Sequence, residues 1–178
     1  MKKQTSKNAG FSIIELVIIV VLIGLLVGLL VPALNPIFST AAQKCAYQTE
    51  ALVAKSKIYA MGRSEDVYVK LYKNDKDEIW CDQLEGSEIV SSELVGSSRV
   101  AVQITPPGEA SYTLTEAEPL YISFKRATGA LRVFGKTTAE PAGGYVSGDI
   151  AVINSVAGGK LYEISIIATT GRHEVTRP

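Results

Sequence analysis

Glu15 is the residue whose chemistry most needs a reason, because it is the only ionisable side chain among the 24 residues from Phe11 to Leu34. A carboxylate at the centre of a membrane helix costs roughly 2.5 kcal/mol or more. In the first turn of such a helix the cost is smaller, and a desolvated cation opposite the carboxylate would offset it. Other residues equipped for chemistry are few. Cys45 and Cys81 stand 36 positions apart. In an exported body a disulfide between them is chemically permitted, and closing that loop would stabilise by roughly 3–4 kcal/mol. Two independent buried thiols is the other reading, and spacing alone does not choose between them. His173 is the only histidine, beside Glu174 near a chain end, with no cysteine close in sequence to complete a zinc set. Asp75, Asp77 and Glu78 lack the glycine and ligand series of a calcium loop and read as a solvated turn. No phosphate-binding loop, nucleophile elbow or dinucleotide fingerprint occurs. The chain is therefore expected not to be an enzyme and to need no metal or other cofactor.

The element that must position Glu15 is the apolar run itself. As an α-helix, 24 residues span roughly 36 Å, enough to cross a bilayer core of about 30 Å. Residues Met1 to Gly10 are short, polar and basic, with Lys2, Lys3 and Lys7, and end in Ala9-Gly10 directly against the run. A secretory signal places its small residues after the apolar region, whereas here they precede it. Cutting after Gly10 would leave the helix on the mature protein with Phe11 as its first residue. The lysines would hold the N-terminus on the cytoplasmic side and leave the body exported.

This order of basic leader, Gly10, Phe11, apolar residues and Glu15 resembles the type IV pilin and type II secretion pseudopilin family. The resemblance implies that a prepilin peptidase cleaves between Gly10 and Phe11 and that the new amino group is methylated. It also implies that Glu15 meets the terminal amine of a neighbouring pilin or pseudopilin subunit in a filament. Gly24 and Pro32 match positions where pilin helices bend or partly melt on packing. Gly24 and Gly28 also have the spacing that lets membrane helices approach closely. The resemblance further implies membrane lipid around the helix before assembly and an inner-membrane assembly platform as a partner.

Beyond the run, Asn35-Pro36 reads as a cap and restart. Phe38, Ala41, Ala42, Cys45, Thr49, Leu52, Ser56 and Tyr59 recur at helical spacing up to Gly62, a suitable C-terminal stop. That apolar stripe is narrow and built of small residues, so something must pack tightly over it. After Gly62 the period becomes alternating. Strands are expected at 67–72, 78–84, 100–104, 120–125, 131–134, 149–156, 160–168 and 173–176, with 86–98 as a surface loop. The hairpin turns fall at Thr128-Gly129 and Ala157-Gly158-Gly159.

The expected fold is α+β and type IV pilin-like, with one long bent N-terminal helix packed on an antiparallel β-sheet domain. The segments are a cleaved leader at 1–10, a transmembrane and polymerisation helix at 11–34, an amphipathic continuation at 35–62 and a β-rich head at 63–178. Phe124–Val133 and Ile164–Arg172 carry strand–Thr-Gly–strand hairpins that look like those of minor H-type pseudopilins and minor pilins. The functional expectation is a minor pilin or pseudopilin, anchored in the cytoplasmic membrane with its head outside and then assembled into a surface or periplasmic filament. Two alternatives stay open: a DNA-binding minor pilin, and an anchored surface domain that never polymerises. For the first, Lys160, Arg172 and Arg177 are the candidate contacts. Without residues 1–10 the chain has 15 basic and 18 acidic side chains, a net of −3 that gives nucleic acid little general attraction.

Overall fold

The structure is a computed structural model that describes residues 12–178, with the side chains of 29–39 left out. The described residues form an α+β chain with one helix, α1 (Ile13–Gly62), and ten strands, all paired antiparallel. The chain divides into two compact units, the first ending at Asn35 and the second running from Pro36 to Pro178.

In the second unit the strands form two five-stranded sheets. The first has the order β3 (Glu88–Gly96), β2 (Ile79–Glu85), β1 (Val67–Lys73), β6 (Leu120–Phe124), β7 (Leu131–Gly135). The second has the order β10 (Arg172–Thr176), β9 (Lys160–Ile167), β8 (Ile150–Ala157), β4 (Ala101–Thr105), β5 (Tyr112–Thr113). Alternation in sequence becomes alternation in burial. Val67, Val69 and Leu71 are buried in β1, as are Ala151, Ile153, Ser155 and Ala157 in β8.

The α1 stripe explains how one helix serves both sheets. Ala42, Cys45, Thr49, Leu52 and Ser56 are buried, together with Ala46, Val53 and Ala60. These small side chains allow close approach. A Cβ added at Gly96 on β3 would stand 2.9 Å from Cys45 Sγ, and the Ser155 hydroxyl of β8 reaches the same sulfur at 3.8 Å. One continuous cluster of buried side chains results, with members from α1 and from both sheets.

One sequence reading is corrected. Residues 86–98, read as a loop, contain the nine-residue edge strand β3. Its Ile89, Val90 and Leu94 are exposed, and irregularities in its pairing with β2 break the two-residue period on which strand recognition depends. The antiparallel β-sheet domain expected is built of two sheets, a number the sequence reading did not give. Strand order depends on pairings between distant segments, such as β1 with β6 and β4 with β8, which local periodicity does not encode.

Candidate functional site

The candidate site begins where α1 begins. The Ser12 carbonyl accepts from the amides of Glu15 at 3.0 Å and Leu16 at 3.1 Å, closing the first turn. Glu15 is the acidic residue of that turn, where the unpaired amides of a helix N-terminus favour negative charge. From Ile13 to Val27 every large side chain other than Glu15 is aliphatic and exposed, from 41% at Ile19 to 84% at Ile13. A helix apolar on all sides has no wet face and is stable only when something covers it. Gly24 and Gly28 leave open space where a side chain would stand. Gly10, Phe11 and the side chain of Pro32 lie outside the described residues. Among the described residues no helix is long and apolar enough to cross a membrane, the apolar side chains there running from Ile13 to Val27.

The disulfide permitted between Cys45 and Cys81 is not formed, and both are free, buried thiols. Cys45 is on α1 and accepts from the Ser155 hydroxyl, whereas Cys81 lies in the middle of β2, opposite Leu71 of β1. Burial pushes both thiols up, Cys81 to about 12, with the neighbouring Asp82 and Glu93 carboxylates adding to the effect at Cys81.

The three cations singled out in the sequence do not converge. Lys160 opens β9 and Arg172 faces Ile167 at its other end, roughly 23 Å away at about 3.3 Å per residue. Glu174 and Thr176 alternate with His173 and Val175 along β10 between Arg172 and Arg177, so an acid interrupts the basic positions. The Asn74–Glu78 turn is organised by Asn74, whose side-chain oxygen accepts from the amides of Lys76 at 3.0 Å and Glu78 at 2.9 Å. Among the described residues no group of three or more His, Cys, Asp or Glu side chains is arranged to hold a metal ion.

Sequence reading missed the junction that ties the two Thr-Gly turns to α1. Lys57 donates to the carbonyls of Thr170 at 3.0 Å and Gly171 at 3.1 Å, and its stem passes over Gly129. The amide of Leu131 donates to the Ala168 carbonyl at 2.8 Å, joining the two sheets at that end. Nearby, Arg132 of β7 holds both oxygens of Asp66 and keeps that carboxyl below its usual range. His173, near the chain end, is only 14% exposed and lies against Glu50 of α1. Glu50 and Lys57 are seven residues apart, two helical turns, which places them on one side of α1.

Compared with protein-family models, curated proteins and solved structures, the chain matches none.

Proposed function

We propose that the chain is a minor pilin or pseudopilin: a structural subunit that joins an extracytoplasmic filament through its N-terminal helix and has a type IV pilin-like fold. The observation that carries this reading is the segment from Ile13 to Val27, aliphatic on every side and exposed, with Glu15 as its single charge. Such a surface is stable only against lipid or against like helices. Moving from one to the other changes little in hydrophobic terms, so a charge pair and close helix packing would set the register. Glu15 would supply the anion, and the amine freed by cleavage between Gly10 and Phe11 would supply the cation on a neighbouring subunit. Gly24 lies within the same helix, where a neighbour's backbone could approach. Contacts of this kind are head-to-tail and do not close, which yields filaments.

In this scheme a prepilin peptidase, an inner-membrane platform and other pilin-like subunits are the partners. The head stays outside the cytoplasmic membrane throughout. The test is Glu15→Ala, expressed in the native host and followed by intact mass and by fractionation of sheared filaments. Its mass should show a chain beginning at a methylated Phe11, and the variant should be missing from the filament fraction. Normal incorporation would refute the pairing role. A native chain still carrying Met1–Gly10 would refute the filament reading altogether and leave an anchored surface domain.

A further inference from the structure

We propose that the outer face of the first sheet, the one turned away from the core, is a binding platform for an uncharged polysaccharide chain. The inference rests on the second unit alone and goes beyond the filament reading.

Three rows of side chains cross this face, each set by the strand register. The first is Tyr72 of β1, Trp80 of β2 and Leu94 of β3, opposite one another in turn. The second is Tyr121 of β6, Lys70 of β1, Asp82 of β2 and Ser92 of β3. The third carries Tyr68 of β1, Leu84 of β2 and Ile89 of β3. Residues opposite one another in an antiparallel pair share a face, with strands about 4.8 Å apart and alternate residues roughly 6.8 Å apart along each strand. Of these side chains only Asp82 is buried; the others are half-buried or exposed. A polar row therefore runs between two apolar rows that both bear rings.

This pattern suits a sugar. The flat side of a pyranose ring presents C–H bonds of positive polarity, which stack on the negative face of an aromatic ring. Its rim presents hydroxyls that both donate and accept. Tyr68, Tyr72, Trp80 and Tyr121 supply partly exposed rings, and the row between them supplies both polar roles. Lys70 offers donors alone. The hydroxyls of Ser92 and Tyr72 spend their protons on Oδ1 of Asp82 and keep acceptor lone pairs. The rings are also held before any ligand arrives. Arg132 donates to the Tyr68 hydroxyl at 2.5 Å, and Lys70 Nζ lies 4.7 Å from the centre of the Tyr72 ring. Such preorganisation lowers the cost of binding.

Charge and layout set other ligands aside. Of the side chains in these three rows, Lys70 and Asp82 carry the only charges at neutral pH, and they stand directly opposite each other. Burial and the Asp82 carboxylate push the Tyr72 phenol up, so it stays neutral as well. A face without net charge has no general attraction for phosphate, sulfate or an anionic membrane surface. Protein interfaces place an apolar centre inside a polar rim. Here the order is reversed, with the polar row in the middle.

Trp80 is the only tryptophan, so tryptophan fluorescence of the full chain reports on this face directly. The chain, held in a polyoxyethylene detergent that has no sugar headgroup, is titrated with cellohexaose and with chitohexaose. At least one of them should change the fluorescence saturably, with half-saturation at or below about 1 mM. Tyr72→Leu should weaken that binding about three- to tenfold, the scale of one aromatic contact, whereas Tyr72→Phe, which keeps the ring, should bind within about twofold of the parent. Tyr68→Leu, in the third row, should weaken it by a similar factor and guards against a Tyr72 variant that fails to fold. No response to either sugar up to about 10 mM would overturn the proposal. So would a response to dextran sulfate alone, which would mark an anion site, or parent-like affinity in both leucine variants.

Discussion

Cys45 and Cys81 are thiols that the fold makes chemically quiet. A cysteine pushed to about 12 holds on the order of a thousandfold less thiolate at mildly alkaline pH than an exposed one, and the thiolate is the species that reacts. Cys81 is also only 2% exposed and Cys45 is fully buried. Iodoacetamide applied to the folded chain should therefore add no mass over a period that fully labels an exposed cysteine. After unfolding in guanidinium, two adducts should appear. Rapid native labelling of either residue would mean that α1 lifts from the sheets far more readily than its burial implies. The sequence placed Cys45 correctly on the inward stripe of the helix, since its neighbours at three and four residues are Ala42, Ala41 and Thr49. It did not say what that stripe meets, because spacing along a chain carries no information on which sheet each strand joins. The same blindness hid the contact of His173 with Glu50, two residues more than a hundred positions apart.

The turns decide how the elements of the second unit are held together. At Gly171 the backbone has φ 61°, and a Cβ placed there would stand 2.1 Å from the carbonyl oxygen of Gly129. Both the left-handed conformation and the close approach of the two turns exclude a side chain. Gly171→Ala should therefore destabilise by about 3 kcal/mol or more, because strain is added to a backbone clash that only movement of one turn can relieve. Gly159 makes a matched control. It has φ 72° and open space around the Cβ position, so Gly159→Ala should cost only about 1 kcal/mol, the conformational part alone. Thermal unfolding followed by circular dichroism separates the two, and equal losses would show that the turn-to-turn contact contributes nothing. Both hairpins were legible because Thr-Gly and Gly-Gly between alternating segments leave few other choices. β3 was not legible, since Ile89 and Val90 are adjacent and both exposed, and a bulged edge strand has no apolar side to repeat. β5, only two residues long, offers no period at all.

For the whole molecule, the two units behave as opposites in their relation to water. The second buries most of its aliphatic side chains in one cluster shared by α1 and both sheets, from Ala42 to Ala168. The first shows an aliphatic surface from Leu16 through Val27, with the Glu15 carboxylate just before it. This contrast was the part of the chain most legible in sequence, since composition alone distinguishes the two regions. No buried residue of the cluster precedes Ala42 among the described side chains, so the core of the second unit is built without any contribution from Ile13–Val27. A chain starting at Pro36 should then unfold in one cooperative step with a midpoint within a few degrees of that of the head in the full chain, as expected when one core governs stability. It should also remain monomeric without detergent at concentrations where the full chain associates, because the exposed aliphatic helix is the larger apolar patch of the two. Sedimentation velocity with and without detergent gives the second result directly. Association of the shortened chain to the same extent would move the sticking surface to the head, where Ile89, Val90 and Leu94 on the edge strand β3 are among the exposed apolar side chains.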